Sequence, residues 1–208
     1  MRVRQLLNFL VNNLYGTVFL KSVDASDVVK DATLLFELLD SVVEDVGEDL
    51  VIQVVMDNAS NYKKAGEMLM KKRTRLWWTP CATHCIDLIL EKIGSLPQHE
   101  NALRKAKKAE GRDIKKIILR DGIFWSSMSY ALKTTRPLVN VLRMIDSEKL
   151  PCMGFIYGSM EKAKEEIAVN LGNEEGAYKE IWKIIDDKWE FKLHQHLHVA
   201  AYFLNPRF

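Results

Sequence analysis

The sequence predicts an α/β mixed sheet with flanking helices, followed by an α-helical half. Three observations carry that prediction. Two β-branched, apolar stretches separated by a turn lie near the start of the chain. A continuous apolar run at residues 51–56 is bracketed by helical periodicity. Beyond about residue 102 every periodic stretch has helical spacing.

The elements follow in order. Residues 6–11 and 17–23 flank Asn12-Asn13-Leu14-Tyr15-Gly16, whose turn composition makes the pair a hairpin. Ser26 is the expected cap of a first helix. In it Val28, Ala32, Leu35, Leu39, Val43 and Val46 recur at helical spacing, and Gly47 closes it. Residues 51–56, VIQVVM, read as a buried strand at the centre of a mixed sheet. Asp57 ends that strand, the polar turn Asn58-Ala59-Ser60-Asn61 follows, and residues 62–72 are helical. Leu76-Trp77-Trp78 is a short strand stopped by Pro80, and residues 81–96 form another apolar-periodic helix.

From there the pattern changes. Residues 101–120 are lysine-rich, and 123–145 are amphipathic around Pro137. Residues 160–170 and 178–198 are helical in spacing, with Trp125, Trp182 and Trp189 expected in the core. The predicted organisation is an α/β domain at 1–97, a basic linker or helix at 98–120 and a helical region at 121–208.

Composition sets the bounds on function. With 208 residues, 48% of them hydrophobic, the chain can bury a core and is not a disordered tail. Three cysteines exclude a disulfide scaffold and point to a reducing compartment. No apolar run reaches about 18 residues, so no membrane span is expected. The opening MRVRQLLNFLVNN has no small-residue cleavage site, so a secretory signal is not expected.

The net charge of +2 hides a polarised distribution. Residues 1–60 hold 4 basic and 10 acidic residues, whereas residues 61–120 hold 15 basic and 6 acidic. So basic a middle third is either an electrostatic footprint for nucleic acid or a solvated lysine-rich helix.

Two motifs carry chemistry. VVMDNASN at 54–61 puts the Asp57 carboxylate at the end of a strand, where α/β sheets place ligands and where an Asp oxygen can hold Mg²⁺. The alternative is an Asx turn with the loop backbone. Cys81 and His84 are three apart and would share a helix face. Structural zinc needs about four ligands, and no second pair is well spaced. Cys152 is isolated, and His194, His196 and His198 spread around a helix axis. Cys81 and His84 packing internally is the competing reading. Trp77-Trp78 could stack on bases or pack in the core. No G-x-G-x-x-G, Walker-type loop or G-x-S-x-G elbow is present, so no small-molecule substrate is expected.

The stretch from 51 to 96 combines V-x-D-N-A-x-N with W-T-P-C-A-x-H-C-I-D-L. With the N-terminal LLNFLVNNLYGTVFLKSVDASD and the C-terminal LHVAAYFLNPRF, it resembles plant hAT-superfamily transposases. It is most similar to the domain of unknown function carried by their BED-finger-type members. The resemblance implies an incomplete RNase H-like fold with a helical insertion-type region. It implies metal-dependent DNA cleavage and strand transfer, in which three carboxylates hold two Mg²⁺ ions about 3.5–4 Å apart. Asp57 matches the second carboxylate, with Asn58, Asn61, Cys81 and His84 as family motif residues near the site. Nuclear localisation is implied in the same way.

The first carboxylate belongs to a D-G-W-T-like stretch and the third, a Glu, lies beyond the insertion. Neither stretch is found in this sequence, and Asp24, Asp27 and Asp31 are poor substitutes. The expectation is therefore a truncated, catalytically inactive transposase remnant, with no cofactor of its own, that associates with DNA. Arg104, Lys105, Lys107, Lys108, Lys115 and Lys116 are the candidate phosphate contacts. The alternatives are a protein–protein interaction module that binds other transposase-like chains, and a nuclease whose site another chain completes. A missing first strand would also leave sheet edges open to pairing or aggregation.

Overall fold

The computed structural model describes residues 6–13, 15–26, 30–108, 122–147, 153–192 and 196–206. Side chains are described for these residues except 105–108, 122–124, 190–192 and 196–197. The chain forms two compact units, residues 1–81 and 82–208.

The first unit is mixed α/β. Strands β1 (Leu6–Asn13) and β2 (Gly16–Asp24) make the predicted antiparallel hairpin, with one register shift between Phe9 and Leu10. Its turn is local chemistry. The Asn13 side chain accepts the Tyr15 N–H at 2.8 Å, and Gly16 takes φ +136°.

Helix α1 (Ala32–Val46) ends at Gly47, as the sequence predicts, but it does not start at Ser26. Asp31 is the cap, its Oδ1 accepting the Leu34 N–H at 2.8 Å. Ser26 instead donates its backbone N–H to Asp24 Oδ1 at 3.0 Å, closing an Asx turn after β2. Both residues are good caps, and the one three positions before a free helical N–H captures it.

Strand β3 (Gln53–Met56) and strand β4 (Trp77–Pro80) are parallel, in register from Gln53↔Trp77 to Met56↔Pro80, and are joined through α2 (Ser60–Lys72). Pro80 is the last strand residue, not a stop before it. The N–H groups of Trp77 and Cys81 both point at β3, so position 80 faces away and its missing N–H removes no ladder bond.

The expected single mixed sheet is not formed among the described residues. The strands make two separate two-stranded sheets. Nor is β3 a fully buried central strand, since Val55 is 55% exposed. The two sheets share a core instead of hydrogen bonds. Leu7 and Phe9 from the hairpin and Val54 and Met56 from β3 all pack on a cluster of Leu35, Leu39, Val43 and Leu69. Side-chain burial of that kind is available without a continuous ladder.

The second unit is helical: α3 (Ala82–Gly94), α4 (Pro97–Lys108), α5 (Gly122–Ile145), α6 (Met153–Asn170), α7 (Glu175–Lys192) and α8 (His196–Phe203). Although sequence pattern groups α3 with the strands before it, its buried face of Cys85, Ile86, Ile89 and Ile93 belongs to the helical core. Leu138, Met160, Ile167, Ile181 and Ile185 complete that core.

Pro137 sits inside α5. A proline there leaves the carbonyl four residues earlier without its helical donor. That carbonyl, on Lys133, is met by the Asn170 side-chain amide from α6 at 3.1 Å. Among the described residues no helix is long and apolar enough to cross a membrane.

Candidate functional site

The site begins where β3 and β4 end side by side. The Cys81 N–H donates to the Met56 carbonyl at 2.6 Å, so Asp57 and Cys81 are the next residues past two paired strand ends. Asp57 is exposed, and its Oδ1 accepts the Ala59 N–H at 3.1 Å, an Asx turn that leads into α2. Asn58 is half-buried beside it. Asn61 donates its side-chain amide to the Lys30 carbonyl at 2.8 Å, tying the start of α2 to the chain just before α1. Tyr62 lies close enough that burial, and then the Asp57 charge, raise its phenol above the ordinary value of 10.0. Asp57, Asn58 and Asn61 thus gather on one strand-to-helix turn.

This donor set does not make a two-metal centre. Among the described residues no three His, Cys, Asp or Glu side chains are grouped to hold a metal ion. Asp24 carries the Ser26 hydrogen bonds, which lower its pKa, and Asp31 is committed to capping α1. Cys81 is a half-buried free thiol at the end of the first unit, whereas His84 is half-buried on the first turn of α3 in the second. Cys85 is fully buried in the helical core.

The polarised charge has a structural origin. Arg73 is buried, with Nε 2.8 Å from Asp40, Nη2 3.0 Å from Glu44 and Nη1 2.7 Å from Glu48. Lys72 reaches Asp40 at 2.6 Å, and Arg75 lies 3.4 Å from Asp49. Part of the basic middle third therefore neutralises the acidic α1 inside the same unit. It is not free to meet phosphate, and sequence reading missed this because the partners are about 25–33 residues apart.

Lys63, Lys64 and Lys71 of α2 stay exposed, and further basic residues follow in α4. Arg104 is exposed on α4, bonded to Asn101 at 3.1 Å. Lys105, Lys107 and Lys108 are helical positions of α4 whose side chains are not described, and Lys115 and Lys116 lie outside the described residues.

Helix α4 is held to α5 by a buried histidine. His99 is 2% exposed, its Nε2 2.8 Å from Thr134 Oγ1. Thr134 Oγ1 also lies 3.0 Å from the Tyr130 and Ala131 carbonyls, so its one proton can serve them while its oxygen accepts from a His99 tautomer protonated at Nε2. Nδ1 is left buried with no hydrogen-bond partner, and burial pushes the imidazole pKa below 6.5. A lowered folded pKa means that the unfolded chain takes up the proton more readily. Its contribution is complete above about pH 6.5 and declines as pH falls through the folded value. The melting temperature of the helical unit should fall between pH 7 and pH 5, and His99→Gln should flatten that slope. An equal slope in both proteins would refute the assignment.

The tryptophans separate. Trp78 is core at 6% exposed, and Trp189 is buried. Trp182 is half-buried, donating Nε1–H to the Lys164 carbonyl at 3.1 Å. Trp77 and Trp125 are exposed, and Trp125 was expected inside. His198 is buried in α8, while Cys152 and His194 lie outside the described residues.

Comparison with curated proteins and with solved structures returns no match. Residues 1–109, more than half of the chain, match the family model described as Domain of unknown function (DUF659), a domain found in hAT-type transposase-like proteins. The first unit and the opening helices of the second lie within that match, and the chain belongs to this family.

Proposed function

We propose that the chain is a transposase-derived, RNase H-like domain that does not cut DNA by itself and associates with nucleic acid in the nucleus. The observation that carries the first half is the Asp57 turn. A carboxylate stands at the end of β3, where such chemistry belongs, yet one oxygen holds the Ala59 N–H and the described residues bring no second and third ligand beside it. The element order of hairpin, helix, strand, helix, strand supports the fold reading. The nucleic-acid half rests on the lysine-rich α4, whose Arg104 faces solvent.

Incubating supercoiled plasmid with the chain and Mg²⁺ or Mn²⁺ tests catalysis. Nicking should not exceed that of Asp57→Ala, and cleavage lost in that variant would overturn the proposal. Duplex binding tests the second half. Log affinity should fall with log salt, and reversing Arg104, Lys105, Lys107 and Lys108 to Glu should make that fall shallower. No measurable binding at about 50 mM salt would remove it.

A further inference from the structure

A second surface, on α5 and α6, has nothing to do with the Asp57 turn. Trp125, Met128, Leu132 and Arg136 recur at three- and four-residue spacing, so they form one stripe along α5, with Lys133 at its edge. With Glu166 and Asn170 of α6 they line a groove of about 360 Å³. The groove is pre-formed, because the Asn170 amide is anchored on the Lys133 carbonyl that Pro137 leaves open.

Exposed apolar side chains lie in and beside it: Leu132 is 58% exposed, Trp125 51%, and Val169, next to Asn170 on α6 and outside the groove lining, 65%. Among the described residues neither Lys133 nor Arg136 makes a side-chain hydrogen bond or ion pair, and both are exposed. Two exposed cations without an ion-pair partner among the described residues, set beside exposed apolar side chains, define a complementary partner.

We propose that this groove docks an acidic amphipathic helix of a partner protein. The partner's leucine or phenylalanine side chains seat over Leu132, Trp125 and Val169, and its carboxylates meet Lys133 and Arg136. Glu166 on the α6 wall confines those carboxylates to the α5 side. A nucleic acid fits less well, since exposed Leu132 and Val169 offer nothing to a phosphate and Glu166 repels it. The inference is independent of the DNA-binding reading, which rests on α4.

The test uses the full chain and a fluorescein-labelled peptide of about 16 residues, with Leu on one helical face and Glu along its flank. A Lys-for-Glu peptide and a 15-nucleotide oligothymidylate serve as the other probes. The Glu peptide should bind saturably and the Lys peptide should not. Leu132→Glu and Arg136→Glu, both at exposed positions, should each weaken binding about tenfold with unchanged melting. The Lys peptide should gain affinity for Arg136→Glu. Failure of the Glu peptide to bind, or binding that neither substitution alters, overturns the proposal. So does oligothymidylate binding that both substitutions abolish while the peptide stays unbound.

Discussion

Replacing Arg73 with Ala should destabilise the α/β unit by about 3 kcal/mol, because it leaves the buried Asp40 with the half-exposed Lys72 as its one remaining counter-ion. The guanidinium is 6% exposed and makes charged contacts with Asp40, Glu44 and Glu48, so truncation removes three interactions at once. Asp40 suffers most. Burial alone would raise its carboxyl pKa, but the hydrogen bonds from Lys72 and Arg73 together outweigh that and hold it below the ordinary 3.8. The sign follows: Asp40 contributes stability that is complete above about pH 4 and is lost as pH falls through its lowered value. The measurement is thermal melting at neutral pH. A loss of this size should lower the first transition by more than about 10 °C. Arg73→Lys should lie between wild type and Ala, since one ammonium cannot span three carboxylates. A change below about 1 kcal/mol would mean that the pairs are solvated and the network is ornamental.

Gly66→Ala should also destabilise, by about 1–3 kcal/mol, against what helix chemistry alone dictates. Alanine in a helix interior is ordinarily better than glycine by about 1 kcal/mol. Here a Cβ would enter the Trp78 indole, with three ring atoms closer than 3.0 Å. That ring is buried, and the atoms met lie at the root of a rigid indole, so there is no flexible end to swing away. The cycle with Trp78→Leu decides the cause. In that background Gly66→Ala should become neutral or stabilising, and a gain in stability in the wild-type background would sink the argument.

Much of the local structure was readable from neighbouring residues. The hairpin needed only Asn13 and Gly16 between apolar stretches, and the end of α1 needed only Gly47. The start of α1 was misread because Ser26 and Asp31 are both competent caps, and local pattern cannot rank them. The Asp57 turn is legible as a strand end followed by polar residues, and its Asx geometry is one of the two arrangements that this sequence pattern allows. Trp125 was not legible, because helical spacing shows which residues share a face but not whether anything stands opposite it. Arg73 was hidden in the run Lys71-Lys72-Arg73, where it looked like one more exposed cation.

By itself, the sequence determined the type and order of the elements, the family and the position of Asp57 at a strand end. These depend on turn residues, caps and periodicities that act within a few positions of one another. Only the tertiary structure decided that the strands lie in two separate pairs, that α3 joins the helical core and that Lys72 and Arg73 at the end of α2 pair with acids of α1. It alone also left the α5 stripe uncovered. Each of those outcomes is fixed by contacts between distant segments, where burial and charge pairing choose among arrangements that local preference leaves equally open.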